Sequence, residues 1–336
     1  VNVPIGLLVA FAAPRVLAES ERRRGSFDFP GAITGTVGVA ALVYGLANAA
    51  TTQDGVSHWG DSKVVVSLVA AVVLLIAFAL IEVRSPHALL PIRVLRNRDR
   101  SGAYLIMLAL GTAMFGMFFF LTIFVQNVWH YSAIKTGLAY LPVTAAIIVA
   151  SGIASQLVPR IGARPLLLSG GAVAAGGLFW LAQLNEHSSY VGGILGPMIV
   201  FAIGMGLLFV PISLVSLSKV ADSDAGIASS LLNTGQQVGG SIGLAILGTV
   251  TWSAFATDFR SSGAAPLQFA LGSGHQLSPL QADTLQRATS HALAIGINRG
   301  LLVSAGIALL GLIITIVMIR VKKEDLAGIN PMAAPA

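Results

Sequence analysis

The chain has 336 residues, 55% of them apolar or aromatic and only 10% charged, with a formal charge of +6. Soluble domains carry about 25% charged residues, so this composition excludes an ordinary soluble enzyme. The absence of cysteine excludes a disulfide framework and any cysteine-ligated metal or redox site, and the 37 glycines and 14 prolines, which follow no collagen period, suit helices in lipid.

Taken in chain order, residues 1–13 are apolar but shorter than the roughly 20 residues that a bilayer core requires. The segment opens without Met or a basic leader, so it does not read as a signal peptide. The expectation is the tail of a span whose beginning is missing. Eight longer apolar runs follow, at about 29–50, 63–83, 102–126, 137–158, 165–184, 191–218, 227–252 and 300–320. None has Lys, Arg, Asp or Glu near its middle. Transmembrane β-strands would alternate over segments of about 10 residues, so helices are expected. The fold class read from this pattern is an all-α membrane protein with eight transmembrane helices.

Basic residues fix the expected orientation. Alternate loops, starting with the first, hold 15 of the 20 Lys and Arg, and the other loops hold 5. The positive-inside rule then puts the loop at 14–28, the basic loop at 84–101 and the tail at 321–336 in the cytoplasm. This distribution accounts for the pI near 10 without nucleic acid, since no aromatic residues interleave the Arg. Residues 253–299 are expected as a long external loop, in which Ser278-Pro279 can cap a helix running towards Ala294.

The sequence shows no pattern for catalysis. All six His are expected in loops, none in a His-x-x-x-His pair, so no metal site is expected, and no nucleophile elbow or P-loop is present. No cofactor is implied. A carrier instead needs polar groups inside apolar helices, where they are costly and tend to face a cavity. Three runs provide such groups at helical spacing. One holds Thr112, Phe115, Phe119, Thr122 and Gln126; another Tyr140, Thr144, Ser151 and Ser155; a third Asn233, Gln237 and Ser241. An aromatic and amide lining suits large apolar or cationic solutes. The alternative is that these groups bond helix to helix. Phe118 and Phe120 are expected against lipid. Opposite the polar stripe, Gly235, Gly239 and Gly243 form two Gly-x-x-x-Gly steps, which permit close helix packing, static or sliding. Pro142 and Pro211 are expected kinks. Asp28 and Glu82 read as solvated flanks near the cytoplasmic face.

Several segments carry a resemblance, namely Asn2-Val3-Pro4-Ile5-Gly6; Phe27-Asp28-Phe29-Pro30-Gly31; Gln126 with Tyr131-Ser132, Gly137 and Leu141-Pro142; and Gly226-Ile227-Ala228-Ser229 followed by Asn233-Thr234-Gly235-Gln236-Gln237-Val238-Gly239-Gly240. In this order and spacing, up to about Arg320, the chain resembles the fourteen-span drug:proton antiporters of the major facilitator superfamily (EmrB/QacA type). That family's loop motif between paired spans is similar to Ser155–Arg164, where Arg160, Gly162 and Arg164 match, Ser155 stands for the Gly and Pro159 for the Asp. The resemblance implies a loop that pairs with helix ends; a plain positive-inside anchor is the alternative. It also implies an inserted helix pair at 29–83, a C-terminal six-helix half at 102–320, and a missing N-terminal half carrying the proton-relay acids. The implied partners are the lipid bilayer of the plasma membrane, a small-molecule solute, protons and that missing half. The functional reading is alternating-access efflux of drug-like or amphipathic solutes. An uptake or symport carrier of the same fold, or a non-transporting membrane remnant or interaction module, are the alternatives.

Overall fold

The computed structural model describes residues 2–16, 28–52, 55–85, 88–90, 92–218, 220 and 224–326. Within them the helices are α1 (Asn2–Val16), α2 (Phe29–Ala49), α3 (Ser62–Arg84), α4 (Ile92–Arg96), α5 (Arg98–Asn127), α6 (Ala133–Ala139), α7 (Leu141–Ile161), α8 (Ala163–Leu181), α9 (Gly196–Leu217, preceded by a π-helical turn Tyr190–Leu195), α10 (Ala225–Ser261), α11 (Ala265–Gly272) and α12 (Pro279–Met318). A 3₁₀ turn, Lys323–Leu326, closes the described chain. Eight helical stretches are long and apolar enough to cross a membrane, the π turn counting with α9 and α6 with α7. Most of the expected first loop, residue Lys219 and the tail beyond Leu326 lie outside the described residues, as do His87 and the Arg93 side chain.

Local chemistry sets the helix starts. The Asp28 carboxylate accepts the Gly31 N–H at 2.8 Å and Pro30 occupies the first turn of α2. Asn97 caps α5 through the Arg100 N–H at 3.1 Å. Ser278 and Gln281 form a reciprocal capping box at the start of α12. Pro142 does not kink a continuous helix, as expected from the sequence. The chain breaks at Tyr140, and Pro142 falls in the first turn of α7, where its missing N–H costs nothing. Pro211 is buried within α9, which runs on through it to Leu217.

Helix α5 is the hub. It packs against α9, α10 and α12; α8 packs against α9 and α12, and α7 against α9. Met117, Leu121 and Phe124 of α5, Leu178 of α8, Phe201 of α9 and Ile297 of α12 meet in a dry core. The hairpin α2–α3 docks on this bundle through α10, and most of its apolar residues stay exposed, as a lipid-facing surface would be.

The expected loop at 253–299 is largely helical. Helix α10 continues nine residues past the apolar run, to Ser261, and α12 begins at Pro279, so His291 and Asp283 stand on a helix rather than in a loop. Hydropathy marks the part of a helix that lipid requires to be apolar. At about 1.5 Å per residue, the 40 residues of α12 reach about 60 Å, twice the hydrocarbon thickness. The projecting turns need only helix-forming residues and a cap.

The end of the bundle rich in Arg is tied together by side chains to backbone carbonyls. Arg100, expected in a solvated loop, is buried, and its guanidinium donates to Val94 O at 3.1 Å and Ser218 O at 3.0 Å. Arg98 donates to Val317 O, and the Asp99 carboxylate accepts the Arg320 N–H.

Candidate functional site

The α5–α10 pair positions most of the candidate residues. Gly239 and Gly243 lie directly against the α5 backbone: a Cβ on either would run into the carbonyl oxygen of Leu108 or Thr112. Gly235, one turn earlier, is looser, with Tyr104 O at 3.5 Å from such a Cβ. The α5 side reciprocates at Gly111, a glycine that the sequence reading did not single out. Thr112 Oγ1 donates to Leu108 O and bridges the two helices at Gly239 O, each at 2.9 Å. It therefore bonds helix to helix.

The polar stripes divide into two chemical groups. Most of the hydroxyls are already bonded. Thr122 Oγ1 donates to Phe118 O at 2.7 Å and lies 3.0 Å from the Tyr140 hydroxyl, which ties α5 to the α6–α7 joint. Thr144 bonds Tyr140 O, Ser151 bonds Gly206 O across to α9, and Ser241 bonds Gln237 O. The amides differ. Gln126, Asn233 and Gln237 are exposed, and among the described residues their side chains make no hydrogen bond. Phe115 and Phe119 are exposed on the same helix as Gln126, and the Phe115 ring covers Gly240, one turn from Gln237. The structure thus brings Phe115 beside the α10 amide row, whereas Thr144 belongs to α7.

Two aromatic assignments are corrected. Phe120 is only 2% exposed and packs edge-on to Trp252 of α10, with ring centroids 6.3 Å apart. Phe118 is half-buried and makes an edge contact with Tyr140 at 5.3 Å. Both face neighbouring helices rather than lipid; with Phe118, Phe119 and Phe120 consecutive, only Phe119 is left on the open surface.

Asp28 and Glu82 are also corrected. They are 8% and 6% exposed, not solvated. They approach each other across Gly31 at one end of the α2–α3 hairpin, where a Cβ would meet both carboxyl groups at 3.0 Å. Glu82 Oε2 accepts the Leu90 N–H at 2.7 Å, so it holds the segment that follows the hairpin. No signal in hydropathy distinguishes such a buried acid from a solvated one at a span end.

At the α7–α8 turn, Gly162 adopts φ +85°, a left-handed conformation that favours glycine, and its N–H closes α7 on Val158 O at 2.9 Å. Arg164 donates to Ile316 O at 3.5 Å in the last turn of α12, where unpaired carbonyls attract a cation. Arg160 is exposed.

An apolar exterior, glycine-mediated helix contacts and eight membrane-length helical stretches among the described residues define a helical membrane protein. The Major Facilitator Superfamily profile matches residues 3–244, and the chain belongs to that family. It is 38% identical over 258 residues to the cephamycin export protein CmcT of Amycolatopsis lactamdurans, a match covering 75% of the chain and 52% of that protein. It is 36% identical over 280 residues to the puromycin resistance protein pur8 of Streptomyces alboniger, covering 82% and 54%. It is 30% identical over 252 residues to the tetracenomycin C resistance and export protein of Streptomyces glaucescens, covering 74% and 46%. The chain spans about half the length of these relatives.

Proposed function

We propose that the chain is the C-terminal part of a fourteen-span, proton-coupled antiporter that exports drug-like or amphipathic solutes across the plasma membrane, with its C-terminus in the cytoplasm. The observation that carries this reading is the set of unbonded amides, Gln126, Asn233 and Gln237, exposed with Phe115 and Phe119 on helices where the neighbouring hydroxyls Thr112, Thr122 and Ser241 bond backbone carbonyls. Amides facing hydrocarbon would be expensive. Facing a solute cavity, closed from the other side by the N-terminal half, they supply adaptable donors and acceptors, and the two phenyl rings supply apolar and cation–π contact. The names of three relatives, which speak of export or resistance, support the direction. Proton-relay acids belong to the N-terminal half in this reading. Arg160, Gly162 and Arg164 form the cytoplasmic loop that engages helix ends, Arg164 through α12.

Alternating access rocks the two halves about the midplane, so residues on the amide row contact solute in both states. The test is Gln237→Leu in the complete transporter. It is expected to change which compounds are exported, at equal protein level, because Leu keeps the volume and removes the donor and acceptor. An unchanged resistance profile overturns the assignment of this face as the solute site.

A further inference from the structure

The hairpin α2–α3 does not lie flush on the bundle. Its tip is clamped to α10 at three points. Ala50 touches Gly248, whose Cβ would be 3.0 Å from it; the Trp59 indole N–H donates to Thr249 Oγ1 at 2.9 Å; and Gly55, at φ +78°, passes so close to Ala256 that a Cβ would lie 2.6 Å from the alanine methyl. Beside the clamp, between the hairpin and α5, α10, α11 and α12, a cleft of about 990 Å³ opens. That volume is at the upper end for a small-molecule site. None of the amides Gln126, Asn233 and Gln237 lines this cleft.

Its lining is graded along the membrane normal. Asp61 and Lys63, at the start of α3, face the mouth, and both are exposed. Trp252, at the same level, ends the apolar run of α10, the depth at which indoles settle at a membrane interface. Phe119 of α5 and, further in, Tyr44 of α2 line the cleft with their side chains about half exposed, at 49% and 53%. Phe119 precedes Phe120, whose ring meets Trp252, and so lies at the level of Trp252; Tyr44 adjoins Gly45, which lies against Ser67 and Leu68, about 6 Å further along α3 than Lys63. The cleft therefore presents a charged mouth and an aromatic interior in the sequence that an amphiphile presents its head and its body.

The mouth carries one charge of each sign, two residues apart. His58 Nδ1 contacts Asp61 at 2.9 Å and leaves Lys63 without a bonded partner among the described residues. A purely cationic head gains Asp61 and is repelled by Lys63; a purely anionic head meets the reverse. A head bearing both charges satisfies both, and discrimination follows from the repulsion as much as from the attraction. We propose that this cleft binds a zwitterionic phospholipid of the outer leaflet, its ammonium towards Asp61, its phosphate towards Lys63 and its acyl chain over Trp252, between Tyr44 and Phe119. The lipid wedges between hairpin and bundle and completes a contact that protein atoms alone leave open.

The test uses the 336-residue chain in maltoside micelles and lysophosphatidylcholine with a brominated acyl chain, which quenches a tryptophan it touches. The probes for comparison are lysophosphatidylglycerol and an alkyltrimethylammonium with the same brominated chain. The expected result is a saturable quenching component that half-saturates at a concentration at least five-fold lower for the zwitterion than for either comparison probe, and that is absent from Trp252→Phe. Asp61→Asn should abolish the preference over the anion, Lys63→Gln the preference over the cation, and Asp61→Glu should keep both. Where Asp61→Asn does not elute as a monodisperse species, Lys63→Gln carries the comparison. Equal half-saturation for the three heads, a tighter cation or anion, or a saturable component that survives Trp252→Phe overturns the proposal.

Discussion

The α5–α10 interface and the α2–α3 hairpin are both helix pairs built from apolar, glycine-containing sequence, yet they are held in opposite ways. Helices α5 and α10 meet backbone to backbone along their length, at Gly239 and Gly243 on one side and Gly111 on the other, with Thr112 bonded across. The hairpin meets the bundle at its tip, through the Trp59–Thr249 bond and the Gly55 and Gly248 approaches, and elsewhere leaves its apolar surface and a cleft exposed. Lipid is as apolar as leucine, so helices in a membrane gain little from hydrophobic burial against each other and depend on close packing and hydrogen bonds. Where small residues run the length of a contact the pair is rigid. Where they cluster at one end the close contact is confined to that end.

The largest effect that would break this comparison is at Gly239. Its would-be Cβ meets Leu108 backbone, which cannot turn aside as a side chain can. Gly239→Leu is expected to cost roughly 3 kcal/mol, the upper part of the range for overpacking, and to lower both the melting temperature in detergent and, in the complete transporter, activity per protein. A melting temperature within a degree of the parent would show that α5 and α10 separate freely, and the contrast with the hairpin would fall.

A smaller effect is expected at the hairpin tip. Trp59→Phe removes one hydrogen bond, worth about 1 kcal/mol, and leaves the bundle intact. Because the chain has no cysteine, Ala50→Cys with Gly248→Cys reports hairpin docking directly. Under limiting oxidant, the cross-linked fraction should fall when Trp59→Phe is added, while the melting temperature of the bundle barely moves. An unchanged cross-linked fraction would mean that the hairpin is held along its length, not at its tip.

The smallest effect concerns the segment between α8 and the π turn, at the end of the bundle away from the Arg-rich side. Glu186 contacts His291 Nδ1 at 2.9 Å, and Asn298 donates to Leu184 O, so this segment is tied to α12. Burial pushes the Glu186 carboxyl up, but the His291 hydrogen bond, its own backbone N–H and the charges of His291 and His187 outweigh burial and leave it below the ordinary glutamate value. A carboxyl lowered in the folded state stabilises fully above its unfolded value, and that contribution is lost as pH falls through the folded value. Glu186→Gln should therefore lower the melting temperature slightly at pH 7 and progressively less as the pH falls below the ordinary glutamate range. A constant difference across that range would assign the effect to something other than ionisation.

Much of this molecule was legible from residues alone, for reasons particular to lipid. A bilayer demands about 20 apolar residues per crossing and paired backbone groups throughout, so each of the eight runs reads as a helix. Gly235, Gly239 and Gly243 recur at every fourth position, which puts them on one face whatever they touch. The amides stood out because each is costly in an apolar run. Other features were not legible. Phe118, Phe119 and Phe120 are identical in composition and adjacent in sequence, and only the positions of α7 and α10 decide that Phe119 alone stays open. Glu82 and Asp28 look like solvated flanks until the hairpin folds them against each other and the 88–90 segment. Pro142 reads as a kink until Tyr140 ends the preceding helix.

The sequence by itself determined what lipid and water each enforce locally: the membrane class, the number of membrane-length helices, the distribution of basic residues among the loops and the cap at Ser278. Those depend on a residue and its near neighbours. Only the tertiary structure decided which helix meets which, that Thr112, Thr122 and Ser241 bond while the amides Gln126, Asn233 and Gln237 do not, and that the hairpin clamps α10 at its tip and leaves a cleft behind. These depend on pairs of residues far apart in sequence: Gly239 with Leu108, Trp59 with Thr249, Arg164 with Ile316. In a medium with little hydrophobic drive between helices, such contacts follow from shape and hydrogen-bond matching across two surfaces, and a single strand of sequence shows only one surface at a time.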